Sequence, residues 1–135
     1  MMMKYLLTML LSFVLLSSAL ANDNEEFRSV WVITWEHISA GSTVEENKAR
    51  VRRILDDLAE ANMNAVLWQV RQSGTAYYNS SYEPWGYYAG YQDPGYDPLA
   101  YTIEEAHKRG IEVHAWFNVF QTSERNASLV PLPPA

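Results

Sequence analysis

The 135-residue chain has no cysteine, which excludes a disulfide framework, a thiolate metal site, a catalytic thiol and a lipobox-type lipid anchor. Basic residues are few. Ten Lys+Arg stand against sixteen Asp+Glu, for a formal net charge of -6; without a basic stripe there is no electrostatic footprint for a phosphate backbone, and nucleic acid is not expected as a partner. The three histidines, His37, His107 and His114, show no metal-ligand spacing, so no metal is expected. No G-x-S-x-G, P-loop or G-x-G-x-x-G occurs, which leaves acyl transfer and nucleotide chemistry without a motif and implies no cofactor. Long apolar runs are also missing. The longest, residues 6–16, is interrupted by Thr8 and Ser12 and is too short to cross a hydrocarbon core of about 30 Å.

What is present begins with an export signal. Lys4 supplies a positive n-region, the apolar run follows, and Ala19-Leu20-Ala21 gives a small-x-small cleavage pattern. A polar run, Asn22-Asp23-Asn24-Glu25-Glu26, comes next rather than a basic stop-transfer flank. Residues 1–21 are therefore expected to be a signal peptide cleaved after Ala21, and residues 22–135 a secreted or periplasmic chain with no stable membrane anchor.

In that chain, Val30-Trp31-Val32-Ile33-Thr34-Trp35 predicts a buried strand. Ser42-Thr43-Val44-Glu45-Glu46 offers two overlapping capping boxes, Ser42 with Glu45 and Thr43 with Glu46, ahead of Val51, Ile54, Leu55 and Leu58 at helical spacing. Ala65-Val66-Leu67-Trp68-Gln69-Val70 predicts a second strand. A long loop rich in Gly, Ser, Asn, Pro and Tyr spans residues 71–96. Asp97 as N-cap, Pro98 at the first helical position and Gly110 as terminator then bound a second helix, and residues 111–117 predict a third strand. The order strand, helix, strand, loop, helix, strand indicates an α/β fold with βα units in a parallel sheet, both helices lying on one side. The other face and the edges of so small a sheet call for further chain or a partner.

Sites in such sheets assemble beyond the C-terminal ends of the strands. Strand parity puts Gln69 and Arg71 on the face away from the helices, together with Glu112, His114, Trp116 and Asn118. Arg71 suits a bidentate hold on a carboxylate or orienting bonds to sugar hydroxyls, the alternative being an ion pair with an interior carboxylate such as Glu112. Glu36 and Glu83 are the candidates for carboxylate catalysis, which needs two carboxyls about 5 to 9.5 Å apart. The aromatic loop, with Tyr77 and Trp85, suits stacking on sugar rings, or else packs on itself as a lid.

Several of these stretches are similar to the N-terminal part of the glycosyl-hydrolase-like 10 family: Glu26-Phe27-Arg28-Ser29-Val30-Trp31-Val32, Asn62 through Arg71, Ala76 through Trp85, Asp93-Pro94-Gly95-Tyr96-Asp97-Pro98-Leu99, and Glu104 through Asn118. That family comprises exported bacterial (β/α)8 barrels, some linked to peptidoglycan glycan strands. The resemblance implies that the three strands are the first of eight and that the chain is the N-terminal part of a TIM-type barrel, a full barrel needing about 250 residues. It implies catalytic carboxylates on later strands, and Gln69, Arg71, Trp116 and Asn118 as substrate-facing. Thr34-Trp35-Glu36-His37-Ile38 departs from the Asn-x-Asp-Trp-Pro-like stretch of many members, so no role is carried over to the first loop. The expected function is hydrolysis of a bacterial cell-wall or extracellular glycan, with residues 22–135 inactive alone and the missing barrel half as partner. The alternative is a small secreted carbohydrate-binding module using the aromatic loop, and Gln69, Arg71, Tyr77, Trp85, Trp116 and Asn118 are the candidate binding residues.

Overall fold

The sheet is organised around its second strand. In a computed structural model describing residues 26–122, β2 (Ala65–Gln72) lies between two parallel neighbours, β1 (Ser29–Val32) and β4 (Glu112–Phe117). Ser29 is level with Ala65, and Ala65 with Glu112. The expected signal peptide lies outside the described residues. The architecture is mixed α/β, as the alternation of elements predicts.

Helix α2 (Val44–Glu60) and helix α3 (Pro98–His107) cover one face of the sheet. Val51, Leu55 and Leu58 from α2 and Ala106 from α3 pack on Val32, Val66, Trp68 and Val70, the alternate positions of β1 and β2. Of the two overlapping capping boxes, the second forms. The Thr43 hydroxyl accepts from Glu46 N–H, and the Glu46 carboxylate accepts from Thr43 N–H at 2.7 Å. Ser42 stands outside the box, its hydroxyl accepting from Arg50 at 3.4 Å. Asp97 caps α3 through Ala100 N–H, with Pro98 in the first turn. Across the helix pair, Arg109 bridges Asp56 at 2.7 Å and Glu105 at 2.8 Å.

Three local features differ from the expected elements. The first strand stops at Val32 instead of continuing to Trp35, and Thr34–His37 forms a helical turn, α1, closed by Ile38 N–H on the Thr34 carbonyl. The turn buries its polar residues instead: Thr34 and His37 are closed to solvent while Trp35 is 44% exposed, so the apolar composition of the stretch did not mark extension. The second strand runs two residues past Val70 and turns back through Ser73 and Gly74, both with positive φ, into β3 (Thr75–Ala76). Positive φ at both central residues is the signature of the tight hairpin turn whose twist matches its strands. The aromatic loop is not structureless, since it contains this hairpin and a 3-10 turn, Tyr87–Ala89.

Opposite the helices, the sheet face carries rings and charge. Trp31 meets Trp116 edge-on at 4.9 Å, and Phe27 meets His114 edge-on at 5.2 Å. Trp31 is 64% exposed. Among the described residues no strand pairs with the outer edge of β4, and Ala115 and Phe117 are exposed.

Candidate active site

At the C-terminal end of the sheet the chain folds β1, β2 and β4 into one polar cluster. The turn α1 brings Thr34 against Gln69. The Gln69 side-chain carbonyl accepts from Thr34 N–H at 3.1 Å and from the Thr34 hydroxyl at 2.5 Å. A backbone N–H can only donate, so this fixes the orientation of the amide and leaves Gln69 Nε2 buried, with no partner among the described residues. His37, on the same turn, hydrogen-bonds the Gln69 backbone carbonyl through Nε2 at 3.1 Å, and its ring lies over Trp68 at 4.6 Å. Burial pushes this imidazole down from its ordinary value to about 4, against the opposing effect of the Gln69 carbonyl, with Arg50 adding a smaller depression.

Next to Gln69, the ladder between β2 and β4 slips. Gln69 pairs with Trp116 but Arg71 pairs with Phe117, so Val70 is bulged out of register. The bulge re-aims Arg71 over the end of the sheet. Its guanidinium is held by Glu83 through three contacts, Nε to both carboxylate oxygens at 2.9 Å and Nη2 to Oε1 at 2.7 Å. Its Nη1 donates to the Asn118 carbonyl and, at 3.4 Å, to those of Val119 and Gln121. Arg71 thus ties the loop after β2 to the chain leaving β4. Its carboxylate partner is Glu83, not the Glu112 expected as the alternative; Glu112 lies at the other end of β4, against His114 at 3.2 Å. Sequence spacing gave no means of choosing between them, because the loop fold that returns Glu83 to Arg71 rests on Ser80, whose hydroxyl accepts from the N–H groups of Tyr82 and Glu83.

Of the two carboxylates considered for catalysis, Glu83 is engaged by Arg71 at both oxygens, and Glu36 stands exposed on α1. No hydrogen bond or ion pair joins them among the described residues. Of the six candidate binding residues, Trp116 and Asn118 sit together on the open side of β4, with the Trp116 indole N–H donating to Asn118 Oδ1 at 2.8 Å. Arg71 and Trp85 are half-buried, and Gln69 and Tyr77 are closed in. Tyr77 forms a second small core with Ile38 and Ala89, onto which Trp85 and Tyr88 pack. Thr34, which anchors Gln69, carries no sequence signal apart from its place where the first strand gives out.

Comparison with known proteins identifies the family of the chain. The family described as Glycosyl hydrolase-like 10 matches residues 26–135. The chain is 41% identical over 116 residues to Glycosyl hydrolase YngK of Bacillus subtilis (strain 168), an overlap of 81% of this chain and 23% of that protein. It is 36% identical over 115 residues to Glycosyl hydrolase DigH of Escherichia coli (strain K12), an overlap of 75% and 26%. The chain spans about a quarter of the length of these curated relatives. With most of its residues matched, and its parallel strands and polar strand ends arranged as described, the chain belongs to the glycosyl hydrolase-like 10 family.

Proposed function

We propose that this chain supplies the first three βα units of a (β/α)8 glycoside hydrolase, exported by its signal peptide to act on a bacterial cell-wall or extracellular glycan. The observation that carries the reading is the convergence of Gln69, Arg71, Trp116 and Asn118 at the C-terminal end of a parallel sheet in a chain of this family. Trp116 offers a ring face for a sugar, and Asn118, its Oδ1 taken by the indole, retains an amide donor for a hydroxyl. Gln69 and Arg71 serve the same site by holding its walls, the first through Thr34 and the second through Glu83. Tyr77 and Trp85 form the packed base of the loop that carries Glu83. The acid and nucleophile carboxylates belong to later strands, as the resemblance implies, so residues 22–135 alone hydrolyse nothing.

The test is release of reducing ends from purified peptidoglycan glycan strands. The full polypeptide carrying these residues is expected to be active, its Trp116→Ala variant at least about tenfold weaker in kcat/KM, and residues 22–135 inactive. Activity in residues 22–135 alone would overturn the assignment of the carboxylates. Inactivity of the full polypeptide, with glycan binding retained, would favour the carbohydrate-binding module.

A further inference from the structure

Both backbone polar groups of Asn118 are held by one residue. Its N–H donates to the Arg71 carbonyl at 3.3 Å, and its own carbonyl accepts from Arg71 Nη1. The same Nη1 reaches the carbonyls of Val119 and Gln121, each at 3.4 Å. Thr122, the next residue, lies against Gly74 at the hairpin tip, where a Cβ would run into the Thr122 carbonyl. The chain leaving β4 therefore takes its course from one guanidinium and one turn. An arginine side chain is rich in rotamers, so that course depends on what fixes the guanidinium.

Glu83 fixes it. Both carboxylate oxygens are committed to Nε, and one of them to Nη2 as well. The Arg71 and Glu83 side chains are 14% and 24% exposed, so the pair is not a solvent-screened surface contact. Glu83 is in turn placed from two directions. The Ser80 hydroxyl accepts from its N–H at 3.1 Å. Just beyond it the chain is pinned to β3, with Ala76 N–H donating to the Pro84 carbonyl at 2.8 Å and Gly86 N–H to the Ala76 carbonyl at 3.2 Å. From Glu83 the contacts run in series. Glu83 holds Arg71, Arg71 holds the Asn118 backbone, and Asn118 Oδ1 accepts from the Trp116 indole at 2.8 Å.

We infer that Glu83 is a positioning residue: without touching substrate, it sets the direction of the Asn118 amide and the Trp116 ring through Arg71. The inference rests on the glycan reading above and deepens it, giving a role to a carboxylate first considered for catalysis. A catalytic acid or nucleophile needs an oxygen free to meet the reacting atoms, and both oxygens of Glu83 are turned to Arg71. Charge-assisted pairing of a carboxylate with an arginine fork supplies direction as well as energy, which is what positioning requires. A glutamine at this place keeps the shape but offers one acceptor oxygen and no charge, so the guanidinium loses its fixed direction and Asn118 and Trp116 lose theirs.

The test is steady-state kinetics of the full polypeptide on purified peptidoglycan glycan strands. Glu83→Gln is expected to raise KM about tenfold while kcat stays within about twofold and the pH profile keeps its shape, as misplaced binding groups require. Glu83→Asp, which keeps the charge, should bring KM back to within about threefold of the wild type. In a chain already carrying Trp116→Ala and Asn118→Ala, adding Glu83→Gln should change KM by less than about twofold, because the groups it positions are gone. Thermal midpoints read alongside show that each variant folds. A fall in kcat of about a thousandfold in Glu83→Gln, with loss of one limb of the pH profile, would make Glu83 a catalytic acid or base and overturn the inference. An unchanged KM in Glu83→Gln, or a further tenfold rise on the doubly substituted background, overturns it as well. Those outcomes leave the glycan reading standing, whereas an inactive wild type overturns that reading and this inference with it.

Discussion

At His37 the protein keeps a base dry. Its Nε2 must carry the proton, because it donates to the Gln69 carbonyl, and Nδ1 is a bare lone pair with no partner among the described residues. Protonating Nδ1 would place a charge against Trp68, away from water, and the imidazole is accordingly held down at about 4. Between pH 6.5 and about 4 the unfolded chain binds a proton here that the folded chain refuses. The stabilisation is therefore complete above pH 6.5 and is lost as the pH falls toward 4. The loss is of order 3 kcal/mol. Urea midpoints measured across that interval should fall for the wild type, with a shallower slope for His37→Gln; parallel slopes would show that His37 does not titrate as buried. The sequence marked His37 only as a histidine without metal-ligand spacing, because the first half of the turn that buries it, Thr34-Trp35, was read as the tail of a strand. Gln69 and Arg71 were legible as residues at the end of β2, since parity depends on the chain's own period, but neither the Thr34 contact that closes Gln69 in nor the bulge beside Arg71 was. Glu83 was legible as a residue but not as a partner, because a contact across a loop leaves no periodic trace.

Among the elements, α2 gives the sharpest comparison. Two boxes of identical pattern compete in the sequence, and the structure forms the one that starts at Thr43. Thr43→Ala should cost about 1 kcal/mol of stability, whereas Ser42→Ala should stay within about 0.5 kcal/mol; equal losses in chemical denaturation would mean that the helix start slips between the two. The aromatic loop makes a different demand. Gly86 has an ordinary φ of -83°, so its lack of a side chain is a matter of space: a Cβ there would run into the Tyr77 ring and crowd the Thr75 hydroxyl, both buried. Gly86→Ala should destabilise by about 1 to 3 kcal/mol, read as a lowered thermal midpoint. No change would mean that the Tyr77 core yields freely. The helices and three parallel strands were readable because burial imposes periods of 3.6 and 2 on their residues. The hairpin at Ser73-Gly74 and the 3-10 turn were not, since short elements inside a long loop rest on single φ values and on packing that only the assembled loop provides.

On the scale of the whole molecule, the helix side of β1 and β2 is packed and the opposite side is not. Trp31 lies open on the face away from the helices, Ala115 and Phe117 along the β4 edge, and Phe120 is 98% exposed just beyond it. Residues 22–135 made alone should therefore bind an apolar dye such as ANS and self-associate in sedimentation, while the full polypeptide should do neither. A monomeric, dye-silent product would favour the self-sufficient module. The parallel ladder has one more consequence. Ser29 pairs with Ala65 and Ala65 with Glu112, so each new parallel strand docks on one earlier in the chain, never on one still to be made. Such a sheet can be laid down in chain order, each parallel strand added to one already present. In that order each parallel strand finds its neighbour already in place, and the Arg71 knot closes once β4 delivers the Asn118 carbonyl.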